Sequence, residues 1–222
     1  MRLLCTLCFL VQLSIFVVAQ NISECDYCWR SMELGIILDS SGSISNPEFN
    51  KAKLFIQNFI GAFDIGPNAV RVALVHYGQP VHEADAIYLS SYTNKSALLD
   101  AIGQVTHWAT LYTATWNAIQ FMREKQLNDS CVRPGLPKVC VVITDGNSQV
   151  PRRTRTQAAL TRAQNITMFA IGVGQSIHDQ ELENIAGNIS HVATVDNFDQ
   201  LHTIIQWLAK ETCIGGQGRR PE

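Results

Sequence analysis

Beyond its first nineteen residues the sequence has no long apolar run, no glycine repeat, no excess of charge of either sign and no dense basic element. Each absence closes off a class. With 17 Lys+Arg against 19 Asp+Glu and 46% hydrophobic residues, the chain lacks both the high net charge of a disordered protein and the regular glycines of a collagen helix. The one close-set basic group, Arg152, Arg153 and Arg155, is too short for a duplex reader, so nucleic acid is not an expected partner. His76, His82, His107, His178, His191 and His202 share no zinc-ligand spacing. Ser41 has no Gly-x-Ser-x-Gly elbow, and Gly172-Val-Gly174 lacks the third glycine of a dinucleotide fingerprint. No enzyme is expected from these residues.

What is present begins with an address. Arg2 supplies a positive end, Leu3 to Val18 is almost unbroken apolar, and Val17-Val18-Ala19 offers small residues for cleavage. Residues 1–19 therefore read as a secretory signal peptide, too short and too interrupted by Gln12 and Ser14 to be a membrane span. Residues 20–31 form a short segment carrying Cys25 and Cys28, residues 32–213 a single domain, and residues 214–222 a polar tail. Cys131, Cys140 and Cys213 complete five cysteines in the secreted chain, an odd number in an oxidising compartment. The expected arrangement joins Cys213 to Cys25 or Cys28 and closes a short loop between Cys131 and Cys140. The spare N-terminal cysteine is then free to link chains into a homo-oligomer. Sequons at Asn21, Asn94, Asn128, Asn165 and Asn188 predict glycans, and hence surface positions.

From Met32 onward, apolar runs alternate with segments of helical period. This is the pattern of an α/β fold: a doubly wound, mostly parallel central sheet flanked by helices on both faces. Glu33 to Leu38, Val70 to Tyr77, Lys138 to Thr144, Thr167 to Val173 and His191 to Val195 read as strands, and Val81 to Leu89 as a further one beside Val70 to Tyr77. Ser45-Asn46-Pro47-Glu48 is a helix start with a capping box, and Phe49, Ala52, Phe55, Ile56, Phe59 and Ile60 form its core face. Further helices are predicted over 94–102, 115–127, 153–164, 178–186 and 198–210.

The first buried strand ends in Asp39-Ser40-Ser41-Gly42-Ser43, and the most apolar strand ends in Thr144-Asp145-Gly146. In an open parallel sheet both loops fall at the carboxyl edge, where ligands bind. Asp39, Ser41, Ser43 and Asp145 then offer two carboxylates and two hydroxyls, the oxygen donors that hard divalent cations prefer. Asp-x-Ser-x-Ser after a buried strand, a mid-chain Thr-x-Thr segment and Val-Val-Ile-Thr-Asp-Gly after another strand together resemble a von Willebrand factor type A domain. The resemblance covers about Met32 to Cys213 and is similar in kind to the type A domains of matrilins and non-fibrillar collagens. It implies a Rossmann-like fold and a metal-ion-dependent adhesion site in which Asp39, Ser41, Ser43, Thr113 and Asp145 hold Mg²⁺ or Mn²⁺. Thr110 and Thr115 stand close enough in sequence to compete with Thr113 for that role. The family's glycines around the metal-binding threonine are replaced here by Tyr112 and Trp116, which become candidates for the ligand face.

The implied function is secreted adhesion in extracellular matrix, by binding an acidic residue of a matrix or cell-surface protein, collagen among them. The alternative is a structural component of an extracellular or mineralised matrix that assembles through disulfide-linked oligomers. Collagen repeats, a coiled coil and growth-factor modules are missing from the sequence, which fits either a stand-alone domain or a piece of a longer protein.

Overall fold

The structure is a computed structural model that describes residues 31–79 and 81–215. The expectations for residues 1–30, including the signal peptide, Asn21, Cys25 and Cys28, lie outside the described residues, as do residues 216–222 of the tail.

Five strands form one all-parallel sheet in the order β2-β1-β3-β4-β5. They are β1 (Glu33–Asp39), β2 (Arg71–Tyr77), β3 (Lys138–Thr144), β4 (Ile166–Val173) and β5 (Val192–Val195). The helices are α1 (Asn46–Gly61), α2 (Lys95–Gln104), α3 (Thr115–Phe121), α4 (Pro151–Arg162), α5 (Asp179–Ala186) and α6 (Ile205–Gly215). Side chains alternate across a strand, so a sheet covered on both faces needs apolar residues at every position. In β1, Leu34, Ile36 and Leu38 enter the core shared with α1, α2 and α6, while Ile37 enters the opposite core with α3, α4 and α5. Each fully buried aliphatic side chain contributes roughly 1.5–3 kcal/mol to folding. That double burial is why β1 and β3 are near-continuous hydrophobic runs.

Local signals place the helices. Ser45 caps α1: the Glu48 amide donates to its Oγ and the Ser45 amide donates to Glu48 Oε2, with Pro47 in the first turn. α5 stops at Gly187, whose φ of 75° is the left-handed value that favours glycine. The helix predicted over 115–127 is only partly α. After Phe121 it widens into a π turn, Met122–Gln126, closed by the Leu127 amide on the Met122 carbonyl at 2.9 Å. Gly35 of β1 faces this turn, and a Cβ there would lie 2.6 Å from Met122 Sδ. The helix predicted over 198–210 starts as a 3₁₀ segment, Phe198–Ile204, before becoming α6.

Two expectations are corrected. Val81 to Leu89 is not a strand: Val81 and Ile87 make isolated antiparallel bridges to Tyr77 and Leu74, and Glu83–Asp85 between them coils into a 3₁₀ turn. Cys131 and Cys140 do not close a loop, because both are free. Cys140 sits inside β3 with its side chain in the α3–α4–α5 core, whereas Cys131 is exposed in the loop before β3. Cys213 is disulfide-bonded. Of the described sequon asparagines, Asn94, Asn165 and Asn188 are exposed and Asn128 is half-buried.

The chain leaves β1 toward β2 on one side and reaches β3 on the other. The carboxyl ends of β1 and β3 thus flank the point where strand order reverses, the place at which α/β sheets open a crevice.

Candidate metal centre

Asp39, the last residue of β1, is fully buried. Its Oδ1 accepts the Ser41 amide at 2.8 Å, which turns the chain back on itself. Its Oδ2 accepts the Thr144 hydroxyl at 2.7 Å and the Tyr77 hydroxyl at 3.3 Å. Ser41 and Ser43 come side by side, their hydroxyl oxygens 3.0 Å apart, and Ser43 Oγ donates to Asp145 Oδ1 at 2.9 Å. Four of the five residues named from the sequence are thereby joined: Asp39 to Ser41, Ser41 to Ser43, and Ser43 to Asp145 across 102 residues of chain.

A second loop is zipped onto this one. Ser41 and Thr110 form a parallel bridge, the Gly42 amide donates to the Thr110 carbonyl at 2.7 Å, and the Trp108 amide donates to Ser40 Oγ at 3.1 Å. The role of Gly42 is closeness rather than an unusual φ: a Cβ there would stand 3.3 Å from the carbonyl oxygens of Ala109 and Thr110. Gly78 does the same at the end of β2, where any Cβ would overlap the Thr110 side chain. Its carbonyl accepts the Ala114 amide at 2.9 Å. Ala109 holds a φ of 47°, a left-handed value that costs a non-glycine residue roughly 1–2 kcal/mol and marks this loop as over-determined by its surroundings.

The three threonines have distinct fates. Thr110 Oγ1 donates to the Tyr112 carbonyl and accepts the Gln79 amide, and Thr115 Oγ1 is 3.1 Å from the Tyr77 hydroxyl. Among the described residues Thr113 bonds only through its backbone, its carbonyl accepting the Gln149 amide at 3.2 Å. Its half-buried hydroxyl makes no hydrogen bond to the other four residues, so the structure does not tie it into their network.

Electrostatically the edge is short of positive charge. Burial pushes the Asp39 carboxyl above the usual range, against the lowering effect of its Thr144, Ser41 and Tyr77 hydrogen bonds. Burial, followed by the nearby Asp39 charge, pushes Asp145 up to about 6. Among the described residues, neither carboxylate receives a hydrogen bond from lysine or arginine. Two carboxylates whose charges oppose one another, with neutral hydroxyls beside them, are a donor set that fits a hard divalent ion. Among the described residues no group of three or more His, Cys, Asp or Glu offers a rival site.

Several neighbours of the site carried no local sequence signal. Thr144 and Tyr77 hold Asp39 from two other strands. His107 stacks on Phe49, with ring centroids 4.7 Å apart, and reaches the Ser41 carbonyl through Nε2 at 3.3 Å. His76, His82 and Trp108 form a continuous ring stack beside the same loop. Only tertiary structure brings these residues together.

Comparison with known proteins gives a consistent result. The model of the von Willebrand factor type A domain matches residues 33–207. Bovine (Bos taurus) matrilin-1 is 34% identical over 191 residues, covering 83% of this chain and 34% of its own length. The mouse (Mus musculus) collagen alpha-6(VI) chain is 31% identical over 200 residues, covering 88% of this chain and 8% of its own. The chain thus spans about a third or less of these two relatives. Among solved structures, proximal thread matrix protein 1 from the mussel byssus, with a zinc-occupied MIDAS motif, aligns with a TM-score of 0.78 at 26% identity. That alignment covers 85% of this chain and 47% of the mussel protein. The manganese-loaded Plasmodium vivax TRAP protein has the same fold, at a TM-score of 0.67 and 21% identity over 81% of this chain and 74% of its own.

Proposed function

Because the chain belongs to the von Willebrand factor type A family, we propose that it is a secreted matrix protein that binds extracellular protein ligands through a divalent cation at the β1–β3 edge. Asp39, Ser41, Ser43, Thr113 and Asp145 would hold the ion, Mg²⁺ or Mn²⁺. When bound, the ion supplies a positive centre with a coordination position for a carboxylate of the ligand. The observation that carries this reading is the Ser41–Ser43–Asp145 hydroxyl chain beside a buried Asp39, with no basic side chain from the described residues on either carboxylate.

The protein's own residues divide the work. Thr144 and Tyr77 fix the Asp39 carboxylate so that it is ordered before the ion arrives. Among the three nearby threonines, the hydroxyls of Thr110 and Thr115 are already engaged, which supports Thr113 as the donor left for the ion. Three neutral hydroxyls and two carboxylates leave a divalent ion no more than balanced, so it can still attract an incoming acidic side chain.

Support for the matrix setting comes from matrilin-1 and collagen alpha-6(VI), and no described helix is long and apolar enough to cross a membrane. Removal of residues 1–19, glycans at the sequon asparagines, a Cys213 partner at Cys25 or Cys28, and collagen or a cell-surface protein as ligand belong to the same reading. No catalysis is proposed. The test is binding of the secreted chain to an array of extracellular proteins with Mg²⁺ and again with EDTA. Binding that depends on the ion and vanishes in Asp39→Ala or Thr113→Ala is expected; equal binding in EDTA would refute the mechanism.

A second reading, assembly by intermolecular disulfides, is favoured by the exposed free thiol of Cys131. Non-reducing electrophoresis separates the two: a covalent multimer supports assembly, a monomer that binds ligand supports adhesion.

A further inference from the structure

Large exposed apolar side chains are few, and half of those among the described residues crowd one edge. Trp108 (52% exposed), Leu111 (91%), Tyr112 (49%) and Val150 (38%) all lie on the loops that surround the candidate metal centre. Between them, on the α3–α4 side, two adjoining depressions of about 290 and 420 Å³ meet at Trp116, Val150 and Arg153. Tyr112 borders the first and Arg152 the second. The Arg153 guanidinium lies 5.0 Å from the centre of the Trp116 ring, which holds its charge at the groove wall.

This groove is continuous with the metal edge. Tyr112 and Ala114, which line it, bracket Thr113, and the Gln149 amide bonded to the Thr113 carbonyl joins its two banks. It also carries Arg152 and Arg153 of the close-set basic group Arg152, Arg153 and Arg155. Among the described residues no carboxylate pairs with Arg152, Arg153 or Arg155, although the chain as a whole is slightly acidic. α4 starts there with no side-chain cap and no acidic residue in its first turn, so nothing in the helix itself offsets its positive end.

We infer that this groove is the second half of the binding face and takes an extended acidic peptide segment of the ligand. An apolar side chain of the segment packs on Tyr112, Trp116 and Val150, and a carboxylate pairs with Arg152 and Arg153. The inference rests on the reading that the metal edge binds protein ligands, but the groove's own contribution needs no ion. Charge complementarity selects the occupant: unpaired arginines over an aromatic floor suit a segment that is both acidic and apolar. A sulfated polysaccharide would use the arginines and leave the apolar floor empty.

The test is selection of a random twelve-residue peptide library on the whole secreted protein, once with Mg²⁺ and once with EDTA. The bound pool is sequenced, and heparin is run as a separate probe. Acidic residues next to aromatic or aliphatic ones are expected to be enriched. Binding of the enriched pool should fall about tenfold or more in Arg152→Glu/Arg153→Glu and in Tyr112→Ser. Arg152, Arg153 and Tyr112 are exposed, so an unchanged melting temperature checks that these variants fold. Residual binding in EDTA that is still lost on charge reversal supports the groove on its own. A pool abolished by Asp39→Ala but indifferent to both groove variants overturns this inference and leaves the metal-dependent reading standing. No acidic–apolar enrichment, or capture of heparin without peptide, also overturns it.

Discussion

Glu33 and Asp39 are the first and last residues of β1, both with no exposed surface, and their surroundings are opposite. Burial raises the Glu33 pKa, yet Arg71 and Arg133 more than reverse it and hold the carboxyl below the usual range. Arg71 donates to both its oxygens, at 2.9 and 2.6 Å, and Arg133 adds its backbone amide and Nε. Arg133 goes on to bind the carbonyls of Met32, Pro67 and Ala69, tying the amino-terminal edge of the sheet together. At the other end, Asp39 has only hydroxyls and an amide, and its carboxyl is raised. One end of the strand is neutralised by the protein and serves stability. At the other, hydroxyls and an amide meet the carboxylate in place of arginines, an environment that suits a divalent cation.

The sharpest way to break this contrast is to remove each carboxylate in turn. Glu33→Ala leaves two arginines facing a partly buried gap and is expected to cost about 3 kcal/mol, the low end for a broken buried pair because both arginines reach solvent. Urea unfolding measures it, and cation binding should survive. Asp39→Asn should do the reverse. The metal-free variant is expected to be at least as stable as the parent, because a penalised charge is gone. Stabilisation by the ion, about 2.7 kcal/mol at a hundred times its Kd, should disappear. If Asp39→Asn destabilised the EDTA-treated protein as much as Glu33→Ala does, the two ends would not differ in the way described.

A smaller effect separates the threonines. Thr115→Ala removes one of the two partners of the buried Tyr77 hydroxyl, which keeps Asp39 as acceptor, and should cost about 1 kcal/mol without ion. Thr113→Ala should change metal-free stability by much less and instead abolish the ion-induced rise in Tm.

Acid distinguishes the two ends by sign. Glu33 has a lowered folded pKa, so its contribution is present above its ordinary 4.5 and is lost as pH falls through the lower folded value. Asp145 titrates near 3.8 when unfolded and about 6 when folded, so in EDTA its contribution to stability is lost as pH rises across that window. Added Mg²⁺ competes with protons for the same oxygens. Its stabilising effect should therefore grow as pH rises through about 6, and Tm measured from pH 4 to 8 with and without the ion reports this.

Much of this molecule was legible in the sequence where local and global signals agree. The capping box at Ser45, the doubly buried β1 and β3, and the Asp-x-Ser-x-Ser loop each follow from residues within a few positions of one another. The expectations that failed depended on distant packing. Val81 to Leu89 has strand-like residues but only two isolated bridges, because polar His82, Glu83 and Asp85 interrupt it with a 3₁₀ turn. A π turn after Phe121 depends on the space left by Gly35, eighty-odd residues earlier. The pairing of Cys131 with Cys140 followed from their closeness in sequence, whereas β3 carries Cys140 into the interior. At the candidate site, Asp39, Ser41, Ser43 and Asp145 were named from the sequence and lie together in the structure, while the Thr144 and Tyr77 bonds to Asp39 and the Thr113–Gln149 link are visible only when separate loops meet.

The most direct measurement is a calorimetric titration of Mg²⁺, and then Mn²⁺, into the EDTA-stripped secreted chain, its Asp39→Asn variant and its Glu33→Ala variant at pH 7.4. The account predicts one ion per domain in the parent and in Glu33→Ala, and none in Asp39→Asn. No binding to the parent, or equal binding to Asp39→Asn, would contradict it.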